Sequence, residues 1–497
     1  MKGKELSPAK VLLLAAHLAA QKDVRALAAL AYRNDSVLRP EVLLRVLLTY
    51  LPETVEPCAY TELLRDLSDG QVGFPTDLEP DTSPVDSISD ETATKKAKKL
   101  RLLPLSGKNT TTFENHDSIC EFLLRRTYRI NTEIGALSQL PELLQPFTDS
   151  YPYIKYWAAS TVFPFVRRSL QCYVNASSEY SLAEFENLPD RNAAIFLLSE
   201  STKRDGETVG RALRGLVAPW LYNESRWKAS ESDIGMHCPG WEQVQNTILS
   251  WATKSWNSAA GAIKHWEGPR DVYFGENLTI SLPESKLRFL QKTYATTAVA
   301  CLYSMTESSE EALRSSYQIC CLTRKRLDET DSLPTLERIL LDISLLPAFK
   351  MTQIRDPKMA AFMRQDLLKM SNPLTSGSPE SLQLITALTI SAYLSTSLGV
   401  PWSVRKAGDL LFIGDEREQK GELNKLLRAV ANQAPRDDNS YWRRSRDVII
   451  WLSTWAHHAK PTDLSSQHNG PLGMVPREHI ETEFLKTLLS KSSMDFY

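Results

Sequence analysis

The chain has 497 residues, 42% of them hydrophobic and 24% charged, and 58 Lys and Arg against 60 Asp and Glu leave a formal net charge of -2. This composition is typical of a globular protein large enough for several domains or for one long array of stacked helices. The balanced charge lacks the global basic excess of nucleic-acid-binding proteins, so we expect no nucleic-acid partner.

The seven cysteines are an odd number without any CxxC pair. Cysteines spread in this way through a long chain are typical of reduced cytosolic thiols. His237 and Cys238 are adjacent, but no second Cys or His pair lies nearby to complete a zinc site. We therefore predict no metal ion.

Two apolar segments raise the question of secretion or of a membrane span. Val11–Ala16 follows three lysines, but it is too short for a signal peptide and leads into an amphipathic helix. Ser381–Val404 has 24 residues without a charge, which is long enough to cross a bilayer. Its many Ser and Thr residues, and the break at Gly399 and Pro401, favour a helix buried inside the protein.

The first 67 residues predict four short helices. Ser7 is placed to be an N-cap, with Pro8 at the first helical position, and apolar residues recur behind it at helical spacing. The predicted helices lie at about 8–20, from Asp23, from Pro40 to just before Pro52, and near Thr61–Leu67. Because the connections are short, consecutive helices are expected to be antiparallel neighbours.

Residues 68–115 have a different composition. No Lys or Arg occurs from Asp66 to Thr94, and a basic block follows at Lys95–Arg101. Such a segment predicts a disordered acidic-then-basic linker. Ser83 precedes a proline, and Ser87 has an acid three residues on, so regulation by phosphorylation is one alternative function of this segment. Nuclear import through the basic block is another.

Helical patterning resumes at about residue 116 and continues, without the alternation that marks strands. Trp241, Val244, Ile248 and Trp251 form one helical stripe, and Val448, Trp451, Trp455 and His458 form another; large aromatics packed between helix layers explain both. The fold class is therefore all-α, an elongated α-solenoid of antiparallel helix pairs with a disordered charged insertion. The predicted organisation is helical hairpins at 1–67, the linker at 68–115, solenoid at 116–371, a short flexible break at 372–380, solenoid at 381–459, a loop at 460–476 and a terminal helix at 477–497.

The sequence offers no convincing catalytic, cofactor-binding or metal-ligating residue. Gly107-Lys108 lacks the preceding glycine of a phosphate loop and is followed by Asn109 instead of Ser or Thr. Asp437-Asp438 resembles a magnesium-binding acidic pair, but Tyr441 stands where a third acid is needed. We predict a non-enzymatic protein without cofactors, in which Asp437-Asp438 is a polar turn before a helix.

Three N-terminal segments stand out: Ser7-Pro8-Ala9-Lys10, then Leu13–Ala19 (LLAAHLA), then Leu38–Glu53 (LRPEVLLRVLLTYLPE). Together they resemble the opening of the fungal Sec-thirty-nine family, whose animal relative is the neuroblastoma-amplified-sequence protein. The resemblance implies an α-solenoid subunit of the Dsl/NRZ tethering complex, peripheral on the cytosolic face of the endoplasmic reticulum.

The resemblance further implies Golgi-to-ER retrograde transport, with other tethering subunits and endoplasmic-reticulum SNAREs as partners. It transfers no site residue, so the partner-binding residues stay unknown. Family members are usually longer, and the uncapped apolar stripe of the last helix predicts a truncated chain. The alternatives are a helical adaptor of another pathway, such as nuclear transport, and a helical enzyme.

Overall fold

The computed structural model describes residues 6–70, 79–105, 117–173, 179–199, 205–229, 236–327, 333–349, 357–435, 438–456 and 469–494. Within these ranges the chain is almost entirely helical, and its β-structure is an antiparallel ribbon of β1 (Lys228–Ala229) and β2 (Met236–His237). The predicted all-α fold class is confirmed, whereas the solenoid arrangement stays a prediction.

The chain divides into two units. Unit 1 comprises Met1–Pro189, Pro219–Ser225 and Phe274–Ile280, and unit 2 comprises Asp190–Ala218, Arg226–Tyr273 and Ser281–Tyr497. The helices of unit 1 are α1 (Pro8–Ala20), α2 (Val24–Arg33), α3 (Pro40–Tyr50), α4 (Cys58–Ser68), α5 (Ser83–Asp86), α6 (Asp90–Ala97), α7 (Ser118–Arg129), α8 (Gln139–Leu144), α9 (Pro152–Trp157), α10 (Phe163–Arg167) and α11 (Leu182–Glu186).

Unit 2 begins with α12 (Asp190–Leu198) and α13 (Gly206–Ala212), and α14 (Ala218–Leu221) spans a boundary between the units. The later helices are α15 (Pro239–Lys254), α16 (Trp256–Lys264), α17 (Glu284–Ser304), α18 (Glu310–Arg326), α19 (Leu336–Leu341), α20 (Pro357–Phe362), α21 (Pro379–Ser397), α22 (Val404–Phe412), α23 (Glu416–Gln433), α24 (Asn439–Thr454) and α25 (Arg477–Met494).

The four predicted N-terminal helices are confirmed as α1 to α4. Pro8 occupies the first turn of α1, and the Asp23 side chain caps α2 by accepting a hydrogen bond from the Ala26 N–H at 2.9 Å. Leu14 and Leu43 are among the fully buried side chains of α1 and α3, which pack on each other. Only the start of α4, at Cys58, lies a few residues before its predicted position.

The prediction that 68–115 is a disordered linker is wrong for residues 79–105, which we call the strap. The strap forms α5 and α6, and both helices pack against α1. Val85 is 2% and Ala93 0% exposed, and Ser89 caps α6. The prediction counted only the apolar residues of the segment itself, whereas α1 supplies most of the apolar surface on which it folds. Residues 71–78 and 106–115 lie outside the described residues.

The second half of the strap is held through its main chain. Arg45 of α3 donates hydrogen bonds to the carbonyls of Leu102 and Leu103, both at 3.1 Å, and Thr49 accepts one from the Leu103 N–H at 2.9 Å. Arg125 of α7 donates to the Pro104 carbonyl. These bonds satisfy backbone groups that have no partner in a helix or sheet.

Within the helical patterning predicted after residue 116, α9 and α10 form one continuous run, with π-helical turns at Ala158–Val162 and Arg168–Cys172. Pro164 explains the first of these turns. A proline lacks the N–H that an α-helix needs in its interior, and a π-turn just before it changes the hydrogen-bond pattern without ending the helix.

Unit 2 contains the predicted tryptophan stripe. Trp241, Val244, Ile248 and Trp251 are all buried on α15, which packs on α12, α16 and α17. The indole N–H of Trp241 donates to the Thr293 hydroxyl at 2.7 Å, so the one polar atom of this ring is satisfied inside the core.

Two helices of unit 2 cross at glycines. Gly206 of α13 lies against Gly261 inside α16, and Gly210 lies against His265, the residue that follows α16. A Cβ atom added to Gly206 would lie 2.6 Å from the Gly261 Cα. The backbones approach this closely only because side chains are missing at the crossing.

The uncharged segment Ser381–Val404 contributes most of α21, a buried helix as predicted, which packs against α17, α18 and α22. Its hydroxyl groups are satisfied locally. Thr386, Thr389 and Ser391 each donate to the carbonyl four residues earlier. In the part of the chain that the structure describes, no helix is both long and apolar enough to span a membrane.

Of the break predicted at 372–380, residues 372–378 form a non-helical connection, and α21 begins at Pro379. Asn372 and Thr375 are fully buried, and their side chains donate to the carbonyls of Phe362 and Leu367 at 2.9 and 2.8 Å. A side-chain amide can replace helical hydrogen bonds in a tight turn, and a Pro- and Gly-rich composition does not reveal this.

The C-terminal part of unit 2 follows the predicted order. Residues 469–476 return to α24, where the N–H groups of Gly470 and Leu472 donate to carbonyls near its end, and α25 confirms the last helix. Trp455 is buried, but it lies after α24 in a left-handed conformation with φ 51°, so it does not continue the helical stripe. His458 and residues 460–468 of the predicted loop lie outside the described residues.

Candidate interaction surfaces

The polar groups that the sequence singled out have structural partners. The Nδ1 atom of His237 lies 2.8 Å from a Glu242 carboxylate oxygen, and Cys238 is buried at the start of α15. Burial raises the pKa of Cys238 to about 12, so its thiol is protonated at neutral pH and a poor nucleophile. Among the described residues no group of three or more His, Cys, Asp or Glu could hold a metal ion.

Asp438 caps α24. Its carboxylate accepts hydrogen bonds from the N–H groups of Ser440 and Tyr441 at 2.9 and 3.0 Å, and hydrogen bonds from Ser440 and Tyr441 lower its pKa. The interpretation of this residue as a polar turn before a helix is confirmed. Asp437 and Gly107-Lys108 lie outside the described residues.

A small cavity in unit 2 lies between α17 and the end of α18. Its volume is about 10 Å³, and the residues that line it include Glu267, Tyr294, Thr323 and Arg326. This is room for about one water molecule. The guanidinium group of Arg326 stacks over the Tyr294 ring at 5.7 Å, which holds the two helices together.

Exposed apolar side chains mark a surface that sequence reasoning missed. Leu341, the last residue of α19, is 87% exposed, and Leu345 in the following 3₁₀ turn is 42% exposed. The neighbouring Leu346 and Phe349 point inward, and the Phe349 N–H donates to the Trp455 carbonyl at 2.9 Å. The two outward leucines on this anchored segment make it a candidate protein-contact surface. The sequence run LLDISLL offers no periodicity that separates inner from outer leucines.

A second apolar surface lies on α25. Phe484 packs against Trp442 of α24 with ring centroids 5.8 Å apart, whereas Leu485 and Leu489 are 56% and 65% exposed. The stripe predicted for this helix therefore splits into a buried edge and an exposed edge. Leu485, one residue after a buried phenylalanine, could not be assigned to either edge from the sequence.

In a comparison with protein-family models, one model matches nearly the whole chain. The model described as "Secretory pathway protein Sec39" matches residues 12–497. The chain belongs to the Sec39 family. A search of curated proteins found no match.

The family match covers much more of the chain than the sequence resemblance did. The resemblance rested on residues 7–53, which now form the first three helices of a Sec39 protein. The match also spans the strap and both exposed leucine surfaces, so these features belong to the family region of the chain. The Sec39 family is one of secretory pathway proteins, which assigns the chain to protein transport.

Proposed function

We propose that this Sec39 protein is a non-catalytic scaffold subunit of an endoplasmic-reticulum tethering complex. It acts in Golgi-to-ER retrograde vesicle transport and binds SNARE proteins, and it associates with the cytosolic face of the membrane through its partners. The observation that carries this proposal is the family match over residues 12–497.

The described structure supports a scaffold in two ways. The polar groups that the sequence singled out are engaged in structural contacts: His237 pairs with Glu242 at the surface, Cys238 is buried, and Asp438 caps α24. The leucines exposed at Leu341 and Leu345 are apolar groups of the kind that partner proteins cover.

The proposal is tested by purifying the tagged full chain from detergent-solubilised membranes and identifying co-purified proteins by mass spectrometry. We expect other tethering subunits and endoplasmic-reticulum SNAREs. Recovery of importins or of a metabolic complex, without tethering subunits or SNAREs, would contradict the proposal.

A matched pair of variants locates the contact. Leu341→Asp changes the most exposed leucine of α19, and Ile195→Asp changes a side chain on α12 that is 48% exposed. We expect Leu341→Asp to lose at least one partner and Ile195→Asp to keep all of them. Equal recovery with both variants would exclude the α19 surface as a partner contact.

A further inference from the structure

One face of α1 carries a basic stripe with an apolar centre. Ser7, Lys10, Leu14 and His17 follow each other at spacings of three and four residues, so they lie along one side of the helix. Leu14 is fully buried, whereas His17 at one end of the stripe is exposed. The stripe therefore places the buried Leu14 between the ammonium-bearing Lys10 and the exposed His17.

The strap covers this stripe in antiparallel order. The Asp90 carboxylate accepts a hydrogen bond from the Ser7 hydroxyl at 2.8 Å and lies 3.6 Å from the Lys10 ammonium group. At the other end, hydrogen bonds from Ser83 lower the pKa of Asp81, and the nearby charge of His17 acts in the same direction.

The apolar residues of the strap match the centre of the stripe. Val85 is 2% exposed and lies between Asp81 and Asp90 in the sequence, as Leu14 lies between Lys10 and His17. Glu79 extends the charge match to α2, where its carboxylate is 3.7 Å from Arg33. Acidic and apolar groups of the strap thus pair with basic and apolar groups of α1 and α2.

The acidic half of the strap is weakly held. The carboxylate-bearing side chains of Asp90 and Glu79 are 71% and 85% exposed, so their ion pairs are weak and are screened by salt. In α6 the one buried residue is Ala93, which has a single methyl group to contribute. Residues 102–104 are instead fixed by main-chain hydrogen bonds, so the acidic half can leave α1 while the other half stays attached.

We propose that the face of α1 formed by Lys10, Leu14 and His17 is a docking groove for an acidic amphipathic helix of a partner protein, and that the strap is its built-in competitor. The charge pattern of the groove selects an acidic partner. A partner helix with larger apolar residues at the positions of Val85 and Ala93 buries more surface than the strap does. Because the strap is tethered, it competes at a high effective concentration and keeps the groove closed to weak binders.

The test measures binding of fluorescent peptides to the full chain by anisotropy. The probes are the strap peptide 79–105, the same peptide with Val85→Leu and Ala93→Leu, and a charge-reversed peptide with Asp81→Lys and Asp90→Lys. The strap is opened in the full chain by Val85→Asp with Ala93→Asp, or more mildly by Asp90→Lys. Glu91→Lys is the matched control, since it makes the same charge change at an exposed α6 residue for which the described residues provide no ion pair.

We expect both opened chains to bind the strap peptide at least about tenfold more tightly than the wild type or Glu91→Lys does. The dileucine peptide should bind more tightly still, and the charge-reversed peptide should not bind. Adding Lys10→Glu to the chain with Val85→Asp and Ala93→Asp should abolish binding of the strap peptide.

The proposal is overturned if the Asp90→Lys chain keeps its wild-type melting curve and yet gains no peptide binding, since the strap is then only a structural element. It is also overturned if the opened chains dimerise in light scattering instead of binding peptide, because a second copy is then the occupant. These outcomes are independent of the tethering assignment, which the purification tests separately.

Discussion

Gly261→Ala probes the closest helix crossing of unit 2. The change adds one methyl group at a buried glycine inside α16. The new Cβ would lie 3.0 Å from the Gly206 carbonyl carbon and 3.1 Å from its oxygen, and closer still to the Gly206 Cα. All three are backbone atoms, so no side-chain rotation can relieve the overlap and α13 must move away from α16.

Two opposing effects set the magnitude. Alanine in a helix interior is favoured over glycine by about 0.5–1 kcal/mol. Overpacking a close-packed contact costs about 1–3 kcal/mol, and the backbone overlap at Gly261 puts it at the upper end. We therefore expect a net loss of about 2 kcal/mol, the opposite sign to the intrinsic helix preference.

Gly421→Ala is the matched control. Gly421 lies inside α23, is exposed, and a Cβ added there meets no atom within 4 Å. Only the helix preference acts, so this variant should gain about 0.5–1 kcal/mol. Thermal unfolding followed by circular dichroism should show a melting temperature several degrees lower for Gly261→Ala and slightly higher for Gly421→Ala. A Gly261→Ala chain that melts at or above the wild type would refute the close crossing.

Three further predictions concern single side chains. Arg126→Leu should lower the free energy of unfolding by about 3 kcal/mol in urea titration, because it leaves buried carbonyls at the end of α3 without their donor. At pH 8 a thiol reagent should react fastest with the exposed Cys58, so Cys58→Ser removes the fast phase, whereas burial raises the pKa of Cys120 and Cys238 to about 12. Glu422→Gln should cost about 1 kcal/mol at pH 7, and the cost should vanish in acid.

The Arg126 prediction rests on a fully buried guanidinium group. It donates to the carbonyls of Leu51 and Pro52 at 2.8 and 2.7 Å and pairs with Glu53 at 3.2 Å. Arg443→Leu on the exposed side of α24 is the control and should change stability by less than about 0.5 kcal/mol. Equal effects of the two substitutions would contradict the buried clamp.

The Glu422 prediction follows from its surroundings. Burial opposes ionisation of this carboxyl, but hydrogen bonds from Lys425 and Trp402 and the charge of Lys406 outweigh it and hold its pKa below 4.5. A lowered folded-state pKa contributes stability that is present above pH 4.5 and lost as the pH falls through the folded value. A difference between wild type and Glu422→Gln that does not shrink as the pH falls below 4.5 would show that packing, and not charge, explains the loss.

Most helices could be predicted from the sequence because their signals are local. Pro8 and Pro40 mark helix starts, Gly399 ends α21, and the stripe from Trp241 to Trp251 identifies a buried face. The strap could not be predicted, because its order depends on α1, which is distant in the sequence. The fixed turn at Asn372 depends likewise on carbonyls that only the folded chain brings within reach of its amide.

The candidate surfaces were less predictable than the fold. Periodicity indicates which residues can be buried, but whether Leu341 or Leu346 faces outward depends on which element packs against that segment. The contact between the strap and α1 has a signal in the sequence. Two acids of the strap, Glu79 and Asp90, pair with Arg33 and Lys10, and a charge match between distant segments can be sought in any sequence.

Rapid depletion of the chain in living cells tests the central claim most directly. The measurement follows secretion of an endoplasmic-reticulum resident protein that carries a C-terminal retrieval signal. If the chain is a scaffold of the retrograde tethering complex, this resident protein should appear in the medium within one transport cycle of depletion, before forward secretion slows. Continued retention of the resident protein after complete depletion would contradict the account.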